Sequence, residues 1–361
     1  MARIVNFNPG PAALPLAVLE QVRDQFVDFR GKGMALVEMS HRGKDYEEVH
    51  RRAMGLMTEL LGLPPNCKVL FLGGGATLQF GMVPLNFLRE GQSADYTLTG
   101  SWAKKAVSDA KKIGKVNLVF DGAGGDFMSL PGAATVKATS GAAYLHITSN
   151  ETIGGVQWPS FPETGEVPLV ADMSSDFLSR RIPVERFGLI YAGAQKNFGP
   201  AGATVVVMRE DMLARCNPNL PAYLNYKSHW DDDSLYNTPP AFAIWIISLT
   251  LEWLKGIGGL EAAERRARER AGLIYRTIDA SNGFYRCPVD RVCRSQMNVV
   301  FRLPSEDLEK KFLEEAAKNG MMGLKGHRSV GGCRASVYNA MPVEGATRLS
   351  ELMADFARRN G

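Results

Sequence analysis

The chain of 361 residues is 45% hydrophobic and 22% charged, with a net charge of +4. Those proportions suit a protein that buries a sizeable core, as two domains or one large domain with a satellite, and exclude a disordered chain or a polycationic nucleic-acid binder. Five dispersed cysteines without a Cys-x-x-Cys spacing exclude a disulfide framework and a zinc site and point to reduced thiols in the cytoplasm.

Residues 1–7 lack the apolar run of a secretory signal, and the longest apolar stretch, 241–251, is too short to cross a bilayer, so no membrane role is expected. Residues 1–15 read as an irregular arm, since Asn8-Pro-Gly-Pro11 suits neither helix nor central strand. Leu19, Val22, Phe26 and Phe29 repeat at helical spacing and predict a helix over 16–30. A loop carrying His41 and Arg42 follows. Asp45 and Glu48 then resemble a capping box for a helix running to about Leu61. Residues 68–72 predict a buried strand that enters Gly73-Gly-Gly-Ala-Thr77 and a helix. Strands at 95–98, 116–120, 143–147, 168–172, 189–192 and 203–208 alternate with helices or loops, among them a helix at 102–113. The pattern predicts an α/β fold with a mostly parallel seven-stranded sheet, whose ligands sit beyond the carboxyl ends of the strands.

The run 241–255 is apolar nearly all round and belongs in the core or at a subunit interface. Gly256-Ile-Gly-Gly259 marks a junction, and 261–279 is a charged amphipathic helix. Residues 298–361 read as strand, helix (306–319), strand (about 333–338) and helix (344–359). The expected division is an arm at 1–15, a large domain at 16–258 and a small C-terminal α/β domain at 259–361.

Lys196 stands between Gln195 and Asn197, just after the apolar run 189–192. An amine at the mouth of a buried strand loses solvation, which lowers its pKa and makes it a nucleophile for carbonyls. Asp172 ends the preceding strand, and a buried carboxylate there needs a cationic partner such as a protonated ring nitrogen. The glycine turn at 73–77 offers free backbone N–H groups at a helix start to an anion. Trp102, at a helix start, suits stacking on a flat aromatic ligand, and Thr152 can offer a hydroxyl to a ring oxygen. His41-Arg42 and His327-Arg328 with Arg334 fall in glycine-rich loops and suit a substrate with two anionic ends. Together these are the parts of a pyridoxal-phosphate site.

Ser40-His-Arg-Gly-Lys44, Ala192-Gly-Ala-Gln-Lys-Asn197, Tyr236-Asn-Thr-Pro-Pro240, Lys325-Gly-His-Arg328 and Gly331-Gly-Cys-Arg-Ala-Ser-Val-Tyr-Asn-Ala-Met-Pro342 carry a resemblance that runs nearly the whole chain. The sequence resembles the phosphoserine aminotransferases, class V, fold-type-I pyridoxal-phosphate enzymes of serine biosynthesis. The resemblance implies that Lys196 forms the Schiff base with pyridoxal 5′-phosphate and shuttles the substrate proton. Asp172 then pairs with the pyridine nitrogen, Trp102 stacks on the ring, and Thr152 contacts its 3′ oxygen. Ala76, Thr77 and Gln195 hold the cofactor phosphate, with Asn237 and Thr238 of the partner subunit in a homodimer. Arg42 binds the acidic groups of phosphoserine, glutamate or 2-oxoglutarate; His41, His327 and Arg328 favour the side-chain phosphate, and Arg334 the α-carboxylate. Some relatives carry Gly-Arg where Ala76-Thr77 stands here, which leaves more of the phosphate to backbone N–H groups and the Thr77 hydroxyl. A phosphorylated threonine analogue of vitamin B6 synthesis is a further candidate substrate. Two other readings stand beside this one: a cysteine desulfurase-type lyase using Cys333, and a non-enzymatic anion-binding protein using the Gly73 loop.

Overall fold

The computed structural model describes residues 3–361; residues 1 and 2 of the expected arm lie outside the described part. A short strand β1 (Val5–Asn6) precedes α1 (Leu16–Gln25) and α2 (Lys44–Leu61). Then come β2 (Cys67–Leu72), α3 (Gly75–Phe87), β3 (Ser93–Leu98), α4 (Ser101–Ile113), β4 (Lys115–Asp121) and β5 (Leu145–Thr148). A small hairpin, β6 (Asn150–Glu151) with β7 (Val156–Gln157), leads to β8 (Leu169–Asp172), β9 (Phe187–Gly193) and β10 (Thr204–Arg209). The rest is α5 (Tyr226–Asp231), α6 (Ala241–Gly256), α7 (Gly259–Asp279), β11 (Asn298–Phe301), α8 (Glu306–Lys318), β12 (Met321–Met322), β13 (Cys333–Ser336) and α9 (Val343–Asn360).

Seven strands form one sheet in the order β2-β10-β9-β8-β5-β3-β4. Only β10 runs against its neighbours, β2 and β9. Its direction follows from chain length: the connection from β9 is too short for the crossover helix that a parallel neighbour needs. Alternate residues of each strand face opposite layers. Val205 and Val207 point into a core with Met57 of α2 and Ile247 and Leu251 of α6. Val206 and Met208 point the other way, toward Phe80 of α3, Ala110 of α4 and Tyr226 of α5. A separate core under α7, α8 and α9 gathers Ile274, Val299, Phe312, Ala335 and Phe356. There β11 pairs antiparallel with β13.

Three expectations need correction. The first helix stops at Gln25 rather than Arg30. The Asp28 carboxylate accepts from Gly33 N at 2.8 Å and turns the chain, while Phe29 packs edge-on against Trp245. Asp45 and Glu48 form no capping box: α2 begins at Lys44 after Gly43, with no side-chain cap. Asp45 instead pairs with Lys32 at 3.1 Å. The arm is also less irregular than expected, since β1 pairs in parallel with β12 and Phe7 joins the C-terminal core.

Candidate active site

Lys196 follows the carboxyl end of β9 and is half-buried. Its Nζ donates to Thr152 Oγ1 at 2.6 Å and lies 5.1 Å from the centre of the Trp102 ring. The N-terminal arm presses on this loop: Ala12 N donates to the Gln195 carbonyl at 2.9 Å, and a Cβ on Gly10 would meet Lys196 Cγ at 3.2 Å. Burial pulls the Lys196 amine down to about 8. The charges of Asp172 and Glu151 pull it up and that of Arg334 pushes it down, but desolvation wins.

Asp172 is the last residue of β8, pairing in register with Tyr191 of β9. It is buried, and its Oδ1 accepts from Ser174 N at 2.9 Å. Burial raises its pKa, and the Lys196 charge and the Ser174 bond offset part of the rise. A buried carboxylate in this position is stabilised by any further cation, at about 1.5–3 kcal/mol for a charge-assisted hydrogen bond.

Trp102 lies in the first turn of α4. No sequence signal singled out what holds that turn. The buried Glu151 carboxylate accepts from Trp102 N at 3.0 Å and Ala103 N at 2.9 Å, satisfying two free N–H groups of the helix start. Burial raises the Glu151 pKa to about 7. Thr152 is its neighbour and is held from two sides, with its hydroxyl on Lys196 and its carbonyl accepting from Arg334 Nη1 at 3.0 Å.

Ala76 and Thr77 form the first turn of α3, after Gly74 at φ 81°, and no side chain caps that helix. The first-turn N–H groups therefore face outward for an anion. Gly74 holds a left-handed conformation that a side chain resists, and a Cβ there would overlap Leu78.

Arg334 is buried, and its Nε has no partner among the described residues. His327 Nδ1 bonds Ser329 Oγ at 2.7 Å. Burial lowers the His327 pKa, and the charges of Arg334, Arg328 and Lys105 lower it further. Lys105, a second residue that sequence reasoning passed over, stands 4.3 Å from the Trp102 ring centre. A lysine at an ordinary helical position carries no signal until its neighbours are known. His41 and Arg42 occupy the corners of a turn closed by Gly43 N on the Ser40 carbonyl at 2.9 Å. His41 Nε2 is buried without a partner among the described residues, and Arg42 is exposed. Asn237 and Thr238 are exposed, with Asn237 Nδ2 donating to the Thr238 carbonyl at 3.0 Å.

The structure thus gathers Lys196, Asp172, Thr152, Trp102, Arg334 and the His327 loop. It does not bring Asn237 or Thr238 to Lys196 by any hydrogen bond among the described residues. The residues present fit pyridoxal phosphate: an amine of lowered pKa, an indole whose Nε1 is buried and unpartnered, a buried carboxylate and an uncapped helix start. A mostly parallel sheet with these groups at the carboxyl ends of its strands defines a fold-type-I pyridoxal-phosphate enzyme.

The model of the family "Aminotransferase class-V" matches residues 4–349. A phosphoserine aminotransferase of Laribacter hongkongensis is 54% identical over 358 residues, covering 99% of both chains. The solved phosphoserine aminotransferase of Bacillus circulans subsp. alkalophilus superposes with a TM-score of 0.98 at 52% identity, covering 99% of both chains. The pyridoxal-phosphate-bound enzyme of Trichomonas vaginalis gives a TM-score of 0.89 at 39% identity, over 97% of this chain and 99% of that one. The chain belongs to the class-V aminotransferases and, within them, to the phosphoserine aminotransferase family. Its cofactor is pyridoxal phosphate and its chemistry is amino-group transfer.

Proposed function

We propose that the chain exchanges the amino group between O-phospho-L-serine and 2-oxoglutarate, in either direction, as a step of serine biosynthesis. The observation that carries this reading is the half-buried Lys196 amine between Asp172, Thr152 and Trp102, with the buried Arg334 guanidinium, which donates to the Thr152 carbonyl and has no carboxylate partner among the described residues, on the other side of Thr152. The strong identity to phosphoserine aminotransferases along the full chain supports the substrate choice.

When bound, pyridoxal phosphate supplies a conjugated ring that takes up the electron pair left at the substrate Cα. Lys196 Nζ, whose pKa burial lowers so that the neutral amine is accessible, would remove the proton from that Cα and return it. Asp172 keeps a proton on the ring nitrogen, and the need of its buried charge for a cation is the driving force. Trp102 packs on the ring, held in place by Glu151 at the start of α4. Thr152 orients Lys196 and the ring oxygen. Ala76, Thr77 and Gln195 hold the phosphate, chiefly through N–H groups of α3.

Arg334 takes the α-carboxylate that both substrates carry, since its buried guanidinium has no anion of its own. His41, Arg42, His327 and Arg328 take the second anionic end, phosphate on one substrate and carboxylate on the other. The same cations suit the phosphorylated threonine analogue of vitamin B6 synthesis. The enzyme is a cytoplasmic homodimer in which Asn237 and Thr238 of the partner subunit complete the phosphate site. The lyase reading lacks a nucleophile: Cys333 is 1% exposed, and burial pushes its thiol far above the ordinary range.

The test is the visible spectrum of the purified protein before and after O-phospho-L-serine is added. A yellow band that fades on addition, and returns with 2-oxoglutarate, is expected. A yellow protein that ignores phosphoserine but bleaches with another amino acid overturns the substrate; one that pyridoxal phosphate cannot colour overturns the whole reading.

A further inference from the structure

A cavity of about 370 Å³ opens where the arm, at Pro15, meets α6, α7 and the segment entering α9. Arg266 and Arg270, one helical turn apart on α7, both line it. Arg270 is 1% exposed. Its Nε donates to the Val337 carbonyl at 3.1 Å, while its Nη2 is buried with no partner among the described residues. No ion pair joins either arginine to a carboxylate among the described residues. Burial pulls the Arg270 pKa down to about 10, and the Arg266 charge pushes it the same way.

Asn339 forms part of the wall. Its N–H donates to Asn197 Oδ1 at 2.9 Å and its Nδ2 to the Leu178 carbonyl at 2.8 Å, leaving its Oδ1 buried and unpartnered. The first turn of α9, at Val343 and Glu344, also lines the cavity, and no side chain caps that helix. Glu344 is exposed and sits on the same wall without bonding either arginine.

A buried guanidinium without a counter-charge is costly, and two like charges a turn apart on one helix repel. Water satisfies orphaned hydrogen-bonding atoms but neutralises neither charge. A small oxyanion accepts from the orphaned Arg270 Nη2 and offsets both charges, while the Asn339 Oδ1 acceptor is left to water; an uncapped helix start adds N–H donors of the right polarity. We infer that this cavity is a binding site for a small oxyanion, a phosphate or a carboxylate, held by Arg266 and Arg270 with the first turn of α9. It is separate from the Lys196 pocket, yet Asn339 ties its wall to Asn197, the residue after Lys196.

The test is equilibrium dialysis of the holoenzyme against labelled inorganic phosphate, and separately labelled acetate, with and without saturating 2-oxoglutarate. One anion per chain is expected to remain bound in the presence of 2-oxoglutarate. The anion that does so identifies the source. Arg266→Gln should weaken that binding about tenfold, the loss of one charge-assisted contact. Arg270→Met should abolish it while leaving the anion-free melting temperature equal or higher, because a costly buried charge is gone. If neither anion survives 2-oxoglutarate while 2-oxoglutarate itself binds at only one equivalent per chain, or if Arg266→Gln binds as wild type does, the inference falls. Should Arg270→Met fail to fold, the Arg266→Gln comparison decides. That comparison does not depend on the substrate: 2-oxoglutarate that displaces nothing counts against the substrate reading, and the variant still reports on this cavity.

Discussion

At Lys196 Nζ the desolvation of a half-buried amine outweighs the attraction of two carboxylates, Asp172 and Glu151, and the balance falls near pH 8. A carbonyl is attacked by the neutral amine, so protonation controls capture of the cofactor. The rate at which apoprotein takes up pyridoxal phosphate should rise about tenfold per pH unit below ~8 and level off above it. Stopped-flow absorbance checks this; a rate still climbing toward pH 10 would mean an ordinary, solvated lysine. Stability follows the same shift. Between about 8 and the usual 10.5, an unfolded chain holds a proton on this amine that the folded apoprotein has lost, so this group's contribution to stability rises with pH across that window.

The start of α4 is where an element, rather than a residue, sets the site. Gly100 has an extended backbone that any residue adopts, but a Cβ there would overlap the Glu151 carboxylate. Gly100→Ala therefore displaces the group that holds Trp102 N and Ala103 N. The expected cost is about 1–3 kcal/mol of stability together with weaker cofactor binding. Calorimetry and cofactor titration check it, and an unchanged melting point with unchanged affinity would remove Glu151 from the support of Trp102. Such contacts mark the limit of what a sequence shows. Strands such as β9 and β10 and the helix α6 were readable because periodicity and apolar runs are local. The Glu151 contact joins positions 49 and 48 residues apart and leaves no local trace. The direction of β10 was equally hidden, since alternation is the same in parallel and antiparallel strands. Asp45 and Glu48 had the spacing of a cap, but the tight turn from Ser40 to Gly43 starts α2 first, and Asp45 turns to Lys32. Lys196 and Asp172 were legible because a charged residue ending an apolar run is conspicuous. Arg270 was not, because a basic residue in a charged helix looks solvated until its face is known.

At the scale of the whole molecule, several large apolar side chains around α1 remain exposed. The segment after α1 packs inward through Phe29 and edge-on through Phe26 to Phe242 of α6. Leu36 is buried with Phe29, but Val27 and Val37 face outward, 78% and 51% exposed. Leu16 and Met34 add to this exposed apolar surface, and Tyr236 precedes the exposed Asn237 and Thr238. Large apolar patches on soluble proteins mark interfaces, and a second copy of the chain is the occupant that would also carry Asn237 and Thr238 to another subunit's Lys196. A two-variant experiment tests that sharing. Lys196→Ala lacks the amine, and the double variant Asn237→Ala, Thr238→Ala lacks the donated phosphate contacts. Each alone should be inactive or weak. In a mixed dimer, one site combines an intact Lys196 with intact Asn237 and Thr238 from the other chain, and the second site lacks both. Random reassortment makes half the dimers mixed, so co-folding the two variants should restore about a quarter of wild-type activity. Activity no greater than the average of the two parents would place each site within a single chain, and would leave the exposed apolar surface around Val27 to some other partner.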